Sequence, residues 1–249
     1  MVAVRHHDDG RVRVVTLDRP ARRNALRPAD LDALAAAVVG TPPDVPVVYI
    51  HGAGPAFSAG ADLDVVAGLD DPATFARHGQ AVARRIETAD AVVIAGIDGA
   101  ARGGGLELAL ACDLRVATPD ATLAEPGVAL GLFGAWGGTV RLPRIVGEGE
   151  ALDLALSGRV VDAEEARRIG LVSRVVADPR TVADEVATHP ADALRAIRER
   201  VRDRAPDEDR EAAEAEAFAR LAAAHADELA AARADRGSEG PGGEGDEGT

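Results

Sequence analysis

The sequence predicts an α/β fold, and three observations carry the prediction. Short, continuous apolar runs at residues 46–51 (PVVYIH), 91–97 (AVVIAGI) and 114–117 (LRVA) have the length and continuity of buried strands. Segments of helical period, 28–39 and 72–89, stand between them. Strands alternating with helices make an α/β core, and from residue 180 to 236 the pattern is helical.

The elements follow in chain order. Residues 2–5 and 11–17 flank a His-Asp-Asp-Gly turn signal and read as a β-hairpin. His6 and His7 lie beside that turn, but no partner has metal-ligand spacing, and no metal is expected. Residues 18–26 (DRPARRNAL) form a loop with three arginines, Arg19, Arg22 and Arg23. Pro28 then opens a helix to Val39. After the strand at 46–51 comes a Gly/Ala loop at 52–64 (GAGPAFSAGADLD). It contains two near-misses. Gly52-x-Gly54 begins a dinucleotide fingerprint, but Phe57 stands where the third glycine belongs. Ser58 is flanked like a hydrolase nucleophile, but the first glycine of that elbow is absent.

A helix at 72–89 and the strand at 91–97 lead to the glycine-rich centre of the chain. The strand at 114–117 follows it, and 122–139 is Gly-rich and irregular. Helices are expected at 140–157 and 162–169, and a strand at 171–176. The chain divides into a core of residues 1–180, a helical region of 181–236 and an acidic, Gly-rich tail of 237–249 with the composition of disorder. No repeat of 20–50 residues is present.

Composition narrows the function. The 249 residues are 47% hydrophobic but only 2% aromatic, so the core must be built from Ala, Val and Leu. The net charge is −14, which opposes nucleic-acid binding, since phosphates need a basic surface. All basic residues are arginine. An acidic, lysine-free surface suits a high-salt habitat, and a GC-rich genome also replaces Lys by Arg. One cysteine, Cys112, excludes an intrachain disulfide and a CxxC metal site. There is no signal-peptide pattern and no apolar run long enough to span a bilayer, so a cytoplasmic protein is expected.

The chemistry points to residues 101–113 (ARGGGLELALACD). Glycines allow close approach of a ligand to the backbone, and the helix they open presents unpaired N–H groups. Negative charge can be held there. The helix is apolar almost all round and so buried, which carries Glu107 into the interior. The alternative for Glu107 is a surface carboxylate that complements the helix dipole.

Four segments in register resemble one family. They are Arg23-Asn24-Ala25-Leu26, Ala56-Phe57-Ser58-Ala59-Gly60-Ala61-Asp62-Leu63, Gly103-Gly104-Gly105-Leu106-Glu107-Leu108 and Gly137-Gly138-Thr139. Their order and spacing are similar to those of the enoyl-CoA hydratase/isomerase, or crotonase, superfamily. Residues 158–176, with Ala163, Glu164, Ala166 and Gly170-Leu171-Val172, resemble the family's helix–turn–strand beyond the site. The resemblance implies a crotonase-like spiral of ββα units with a C-terminal helical trimerisation region, assembled as a homotrimer or hexamer. It implies an acyl-CoA thioester substrate and no separate cofactor, coenzyme A being part of the substrate. The family's oxyanion hole, two backbone N–H groups, matches Ala61 and Gly104 by position. The resemblance places the substrate against Ala59, Asp62, Leu63 and Asp64, with Arg22 and Arg23 toward the CoA phosphates. Trp136 falls where some members line the acyl pocket.

The chain departs from the family at one catalytic position. Hydratases of the family use two glutamates; Glu107 matches the first, and Gly127 stands at the second. Glycine can neither orient water nor deliver a proton. Glu125, two residues upstream, is the possible second carboxylate, and reaching the missing place requires a local backbone shift. The leading reading is a hydratase-like lyase acting on a 2-enoyl-CoA. Isomerisation, decarboxylation and weak acyl-CoA binding without turnover are the alternatives.

Overall fold

The computed structural model describes residues 4–238, with side-chain environments for 6–234. Two strands open the chain, β1 (Val4–Asp9) and β2 (Val12–Leu17), paired antiparallel as the expected hairpin. Helix α1 (Pro28–Val39) starts at the expected proline, where Arg27 and Asp30 bond reciprocally across its first turn. Then come β3 (Val47–Gly52), β4 (Ala56–Ser58), α2 (Leu63–Val66) and α3 (Pro72–Glu87). The side chain of Asp71 accepts the Thr74 N–H at 3.0 Å and fixes the start of α3. Strands β5 (Val92–Ile97) and β6 (Ala100–Arg102) precede α4 (Gly104–Ala111). Strands β7 (Leu114–Ala117) and β8 (Thr122–Ala124) lead to a short 3-10 turn at Pro126–Leu130.

Helices α5 (Gly138–Val146) and α6 (Glu148–Ser157) replace the single helix expected over 140–157. The break is at Gly147, whose φ of 81° no helix can continue. The chain goes on through β9 (Val161–Asp162), α7 (Ala163–Arg168), β10 (Arg174–Val175) and α8 (Arg180–Ala187). Three more helices follow: α9 (Ala191–Arg202), α10 (Asp207–Ala224) and α11 (Ala226–Ser238).

Successive strands feed two sheets in turn. The larger sheet has the order β1-β2-β3-β5-β7-β10, parallel apart from the first pair. The smaller has the order β4-β6-β8-β9. Thus β3 enters the first sheet and β4 the second, and β5/β6 and β7/β8 repeat the step, with α3 and α4 filling the returns. This is the ββα spiral. The smaller sheet is the part of the fold that hydrophobic periodicity did not reveal: β4, β6 and β8 are three residues each, inside Gly/Ala-rich segments.

The main apolar core joins β5, α1, α3 and α4 through residues such as Leu34, Ile86, Val93 and Leu110. On the outer face of the larger sheet, Val182, Ala183 and Ala187 of α8 pack with Val14, Val47 and Ile94. The first compact unit therefore runs on past residue 180, to Arg195; the second begins at Ala196. Within the second unit, Ala217 is buried, while Phe218 and Leu229 are exposed. The tail expected over 237–249 lies, from residue 239 onward, outside the described residues.

Candidate functional site

The site grows from the connection β6–Gly103–α4. Gly103 turns the chain at a φ of 48°. A Cβ on Gly105 would lie 2.6 Å from the Ser58 carbonyl oxygen, so glycine here lets α4 start against β4. A Cβ on Gly104 would lie 2.4 Å from the indole of Trp136. The Gly60 Cβ position is 2.8 Å from the Gly104 nitrogen, which brings the 59–61 loop to the first residue of α4. Leu26 bonds to both sides of Ala61, donating to the Gly60 carbonyl at 2.8 Å and accepting the Asp62 N–H at 2.9 Å. Among the described residues, no hydrogen bond engages the N–H of Ala61 or of Gly104. Both residues border one cavity of about 460 Å³.

Glu107 is buried, on the first turn of α4. Its Oε1 accepts the Trp136 N–H at 2.8 Å and the Gly138 N–H at 2.6 Å. The surface alternative for Glu107 is thereby removed. Burial pushes its pKa up to about 7, against the pull of those two N–H groups and of Arg141. Arg141 is itself buried; it pairs with Glu87 at 2.6 Å and reaches the Trp136 carbonyl at 3.4 Å.

Glu125 lies just after β8 and is only 6% exposed. Among the described residues, neither carboxyl oxygen has a hydrogen-bond partner. Burial, and then the charge of Glu107, push its pKa up to about 9. Glu107 and Glu125 both border the cavity. A Cβ on Gly134 would sit 3.0 Å from Glu107 Oε1 and 3.1 Å from Glu125 Oε2, so the absence of a side chain at Gly134 leaves both carboxyls open to one space. Gly127 also borders the cavity, but its Cβ direction is filled: the backbone of Leu132 and Phe133 lies 3.2 Å away.

The other sequence candidates separate into groups. Ala59, Leu63 and Trp136 join Ala61 and Gly104 on the cavity wall. The Trp136 indole is 3% exposed, packs edge-on to Phe75 at 5.6 Å, and serves both as core and as wall. Asp62 is buried, pairs with Arg19 and caps α2 through the Asp64 N–H at 3.0 Å, so its carboxylate is engaged within the fold. Asp64 pairs with Arg22 on the exposed surface and does not border the cavity. Arg23 is exposed and lies just outside it. Ser58 is no nucleophile candidate: its buried hydroxyl donates to the Asn24 carbonyl at 2.8 Å and accepts the Gly60 N–H at 3.1 Å. No group of His, Cys, Asp and Glu among the described residues could hold a metal ion.

Sequence reading missed the apolar wall of Val66, Leu69, Phe75, Leu130 and Leu132. It also missed Gly134, whose only signal was membership of a glycine-rich segment.

Comparison with known proteins identifies the family. The family model described as enoyl-CoA hydratase/isomerase matches residues 8–232. A crotonyl-CoA hydratase of Syntrophomonas wolfei is 42% identical over 178 residues, covering 70% of this chain and 68% of that one. An enoyl-CoA hydratase structure from Thermoplasma volcanium superposes with a TM-score of 0.84 at 34% identity, covering 89% of this chain and 92% of that one. A Thermobifida fusca structure solved with acetoacetyl-CoA gives a TM-score of 0.79 at 35% identity, covering 89% and 95% of the two chains. With its ββα spiral, its triple glycine and its buried Glu107, the chain belongs to the enoyl-CoA hydratase/isomerase family.

Proposed function

We propose that this protein hydrates a 2-enoyl-CoA thioester, using Glu107 and Glu125 as its two carboxyl groups. The observation that carries the reading is Glu125, whose buried, unpartnered carboxyl shares one space with that of Glu107. The named activities of the relatives support the same substrate class.

The N–H groups of Ala61 and Gly104 hold the thioester oxygen. Negative charge gathers on that oxygen as the enolate forms, and two fixed donors stabilise it without reorganisation. Losing one such donor typically costs about 3–4 kcal/mol. Glu107, fixed by two N–H bonds, is the base that takes a proton from water as the water oxygen bonds to C3. The C2–C3 π electrons pass into the enolate. Glu125, with its higher pKa, is the acid that delivers a proton to C2 as the carbonyl re-forms. The proton gained by Glu107 then restores Glu125. Gly127 is replaced in function, two residues upstream, by Glu125.

Assembly is a proposal of the same standing. The exposed Phe218 and Leu229 suit the C-terminal helices to trimer formation, which light scattering of the purified protein tests. No helix among the described residues is long and apolar enough to cross a membrane.

The deciding experiment follows loss of the conjugated thioester absorbance of crotonyl-CoA. Activity abolished by either Glu107→Gln or Glu125→Gln supports the two-carboxylate reading. Activity that needs Glu107 alone rejects the role of Glu125. Binding of acyl-CoA with no hydration returns the site to isomerisation, decarboxylation or simple binding.

A further inference from the structure

Residues 134–138, which lead from the cavity into α5, carry the two N–H groups that hold Glu107. The peptide joining Ala135 to Trp136 is engaged at both ends. Its N–H donates to Glu107 Oε1 at 2.8 Å, and its carbonyl accepts from Gln80 Nε2 at 2.9 Å. The next peptide, joining Trp136 to Gly137, repeats the pattern. Its N–H is a further donor that favours the ionised form of Glu107, and its carbonyl accepts from Arg141 Nη1 at 3.4 Å. A donor on a peptide carbonyl polarises the N–H of the same peptide, so hydrogen bonds in such a chain strengthen one another.

Gln80 comes from α3 and Arg141 from α5, and neither borders the cavity that Glu107 and Glu125 share. Arg141 is buried and pairs with Glu87, also of α3, at 2.6 Å. Its Nε is buried with no hydrogen-bond partner among the described residues. A buried ion pair that leaves a donor unmade adds little stability over apolar packing, so stability does not account for this arginine. Glycine makes its room: a Cβ on Gly137 would lie 2.1 Å from Nη1. The charged groups that act on Glu107 are Glu125, from the turn after β8, and Arg141, from α5, with Glu87 of α3 paired to it.

We propose that Gln80 and Arg141 are positioning residues for Glu107. They hold the two peptides of residues 135–137 with their N–H groups toward the carboxylate, which fixes the base in one orientation and favours its ionised form. The inference rests on the two-carboxylate hydration and goes beyond it, naming residues outside the cavity that make one carboxyl the base.

Infrared titration of the purified protein reads the proton on Glu107 without turnover, its carboxyl band being the one that Glu107→Gln removes. The wild-type band should titrate at about 7. In Gln80→Met and Arg141→Met the midpoint should rise, by roughly one pH unit for Arg141, which takes a positive charge with it. Glu87→Gln keeps an acceptor for the guanidinium and removes a negative charge, so its midpoint should fall. With crotonyl-CoA, the acidic limb of kcat should move in the same directions. The two Met variants should lose roughly 10–100-fold in kcat, with KM changed only a few-fold. Arg141→Lys should return the midpoint toward the wild-type value but recover only part of kcat, because an ammonium lacks the fork that reaches both Glu87 and the Trp136 carbonyl. Unchanged midpoints in Gln80→Met and Glu87→Gln would overturn the proposal, and so would losses of kcat and melting temperature without any movement of the midpoint. If Arg141→Met does not fold, those two variants decide. Midpoints that move as expected in a protein that does not hydrate crotonyl-CoA would overturn the hydration reading and leave the positioning intact.

Discussion

Glu107 and Glu125 meet across Gly134, each within about 3 Å of the point where a side chain on that residue would begin. One carboxyl is held by two backbone N–H groups, and the other has no hydrogen-bond partner among the described residues. In the proposed hydration that asymmetry separates the base from the acid, and it underlies the first two expectations.

Removing either carboxyl should stop hydration while leaving substrate binding nearly intact. Glu125→Gln keeps the shape and loses the transferable proton. A fall in kcat of about 10²–10⁴ is expected from the loss of general acid–base catalysis, with KM for crotonyl-CoA changed only a few-fold. Steady-state kinetics of Glu107→Gln and Glu125→Gln check this.

The pH profile should be bell-shaped. Glu107 must be ionised, so activity rises through about 7; Glu125 must be protonated, so activity falls through about 9. The two values belong to the interacting pair as a whole. Glu125→Gln should remove the alkaline limb from whatever activity remains.

Stability should show the same linkage with a definite sign. A carboxyl whose pKa is raised on folding binds more protons folded than unfolded. Its contribution is present below the ordinary value of 4.5 and is lost as the pH rises toward about 9 for Glu125. Glu125→Gln should therefore raise the melting temperature more at pH 8 than at pH 5, which calorimetry at the two pH values measures.

Restoring a glutamate at the family's usual place should fail. The backbone of Leu132 and Phe133 lies 3.2 Å from the Cβ position of Gly127 and must move to admit a side chain. Overpacking of this kind costs about 1–3 kcal/mol. Gly127→Glu should lower the melting temperature and should not rescue Glu125→Gln.

Trp136 links stability to the proposed thioester site. A Cβ on Gly79 would fall 2.1 Å from the indole, which on another side fills the Cβ direction of Gly104. Gly79→Ala should destabilise the fold and also lower kcat, by moving the ring that backs the Gly104 N–H. Thermal melting and crotonyl-CoA kinetics on the same preparation test both effects together.

The sequence by itself determined the α/β class, the start of α1 at Pro28, the buried strands and the position of the triple glycine. It did so because burial on both faces, proline at a first helical turn and glycine in a close approach are local requirements. It also marked Glu107, since a carboxylate inside an apolar helix of Leu and Ala stands out. Only the tertiary structure decided where Glu125 goes. Two residues from Gly127, it is buried and, among the described residues, makes no hydrogen bond, because the turn after β8 and the side-chain-free Gly134 leave its carboxyl facing that of Glu107. The pairing of the loop arginines was decided there too. Arg19 is taken by Asp62 and Arg22 by Asp64, 43 and 42 positions away. Charge partners depend on distance in space, and no spacing along the chain records it.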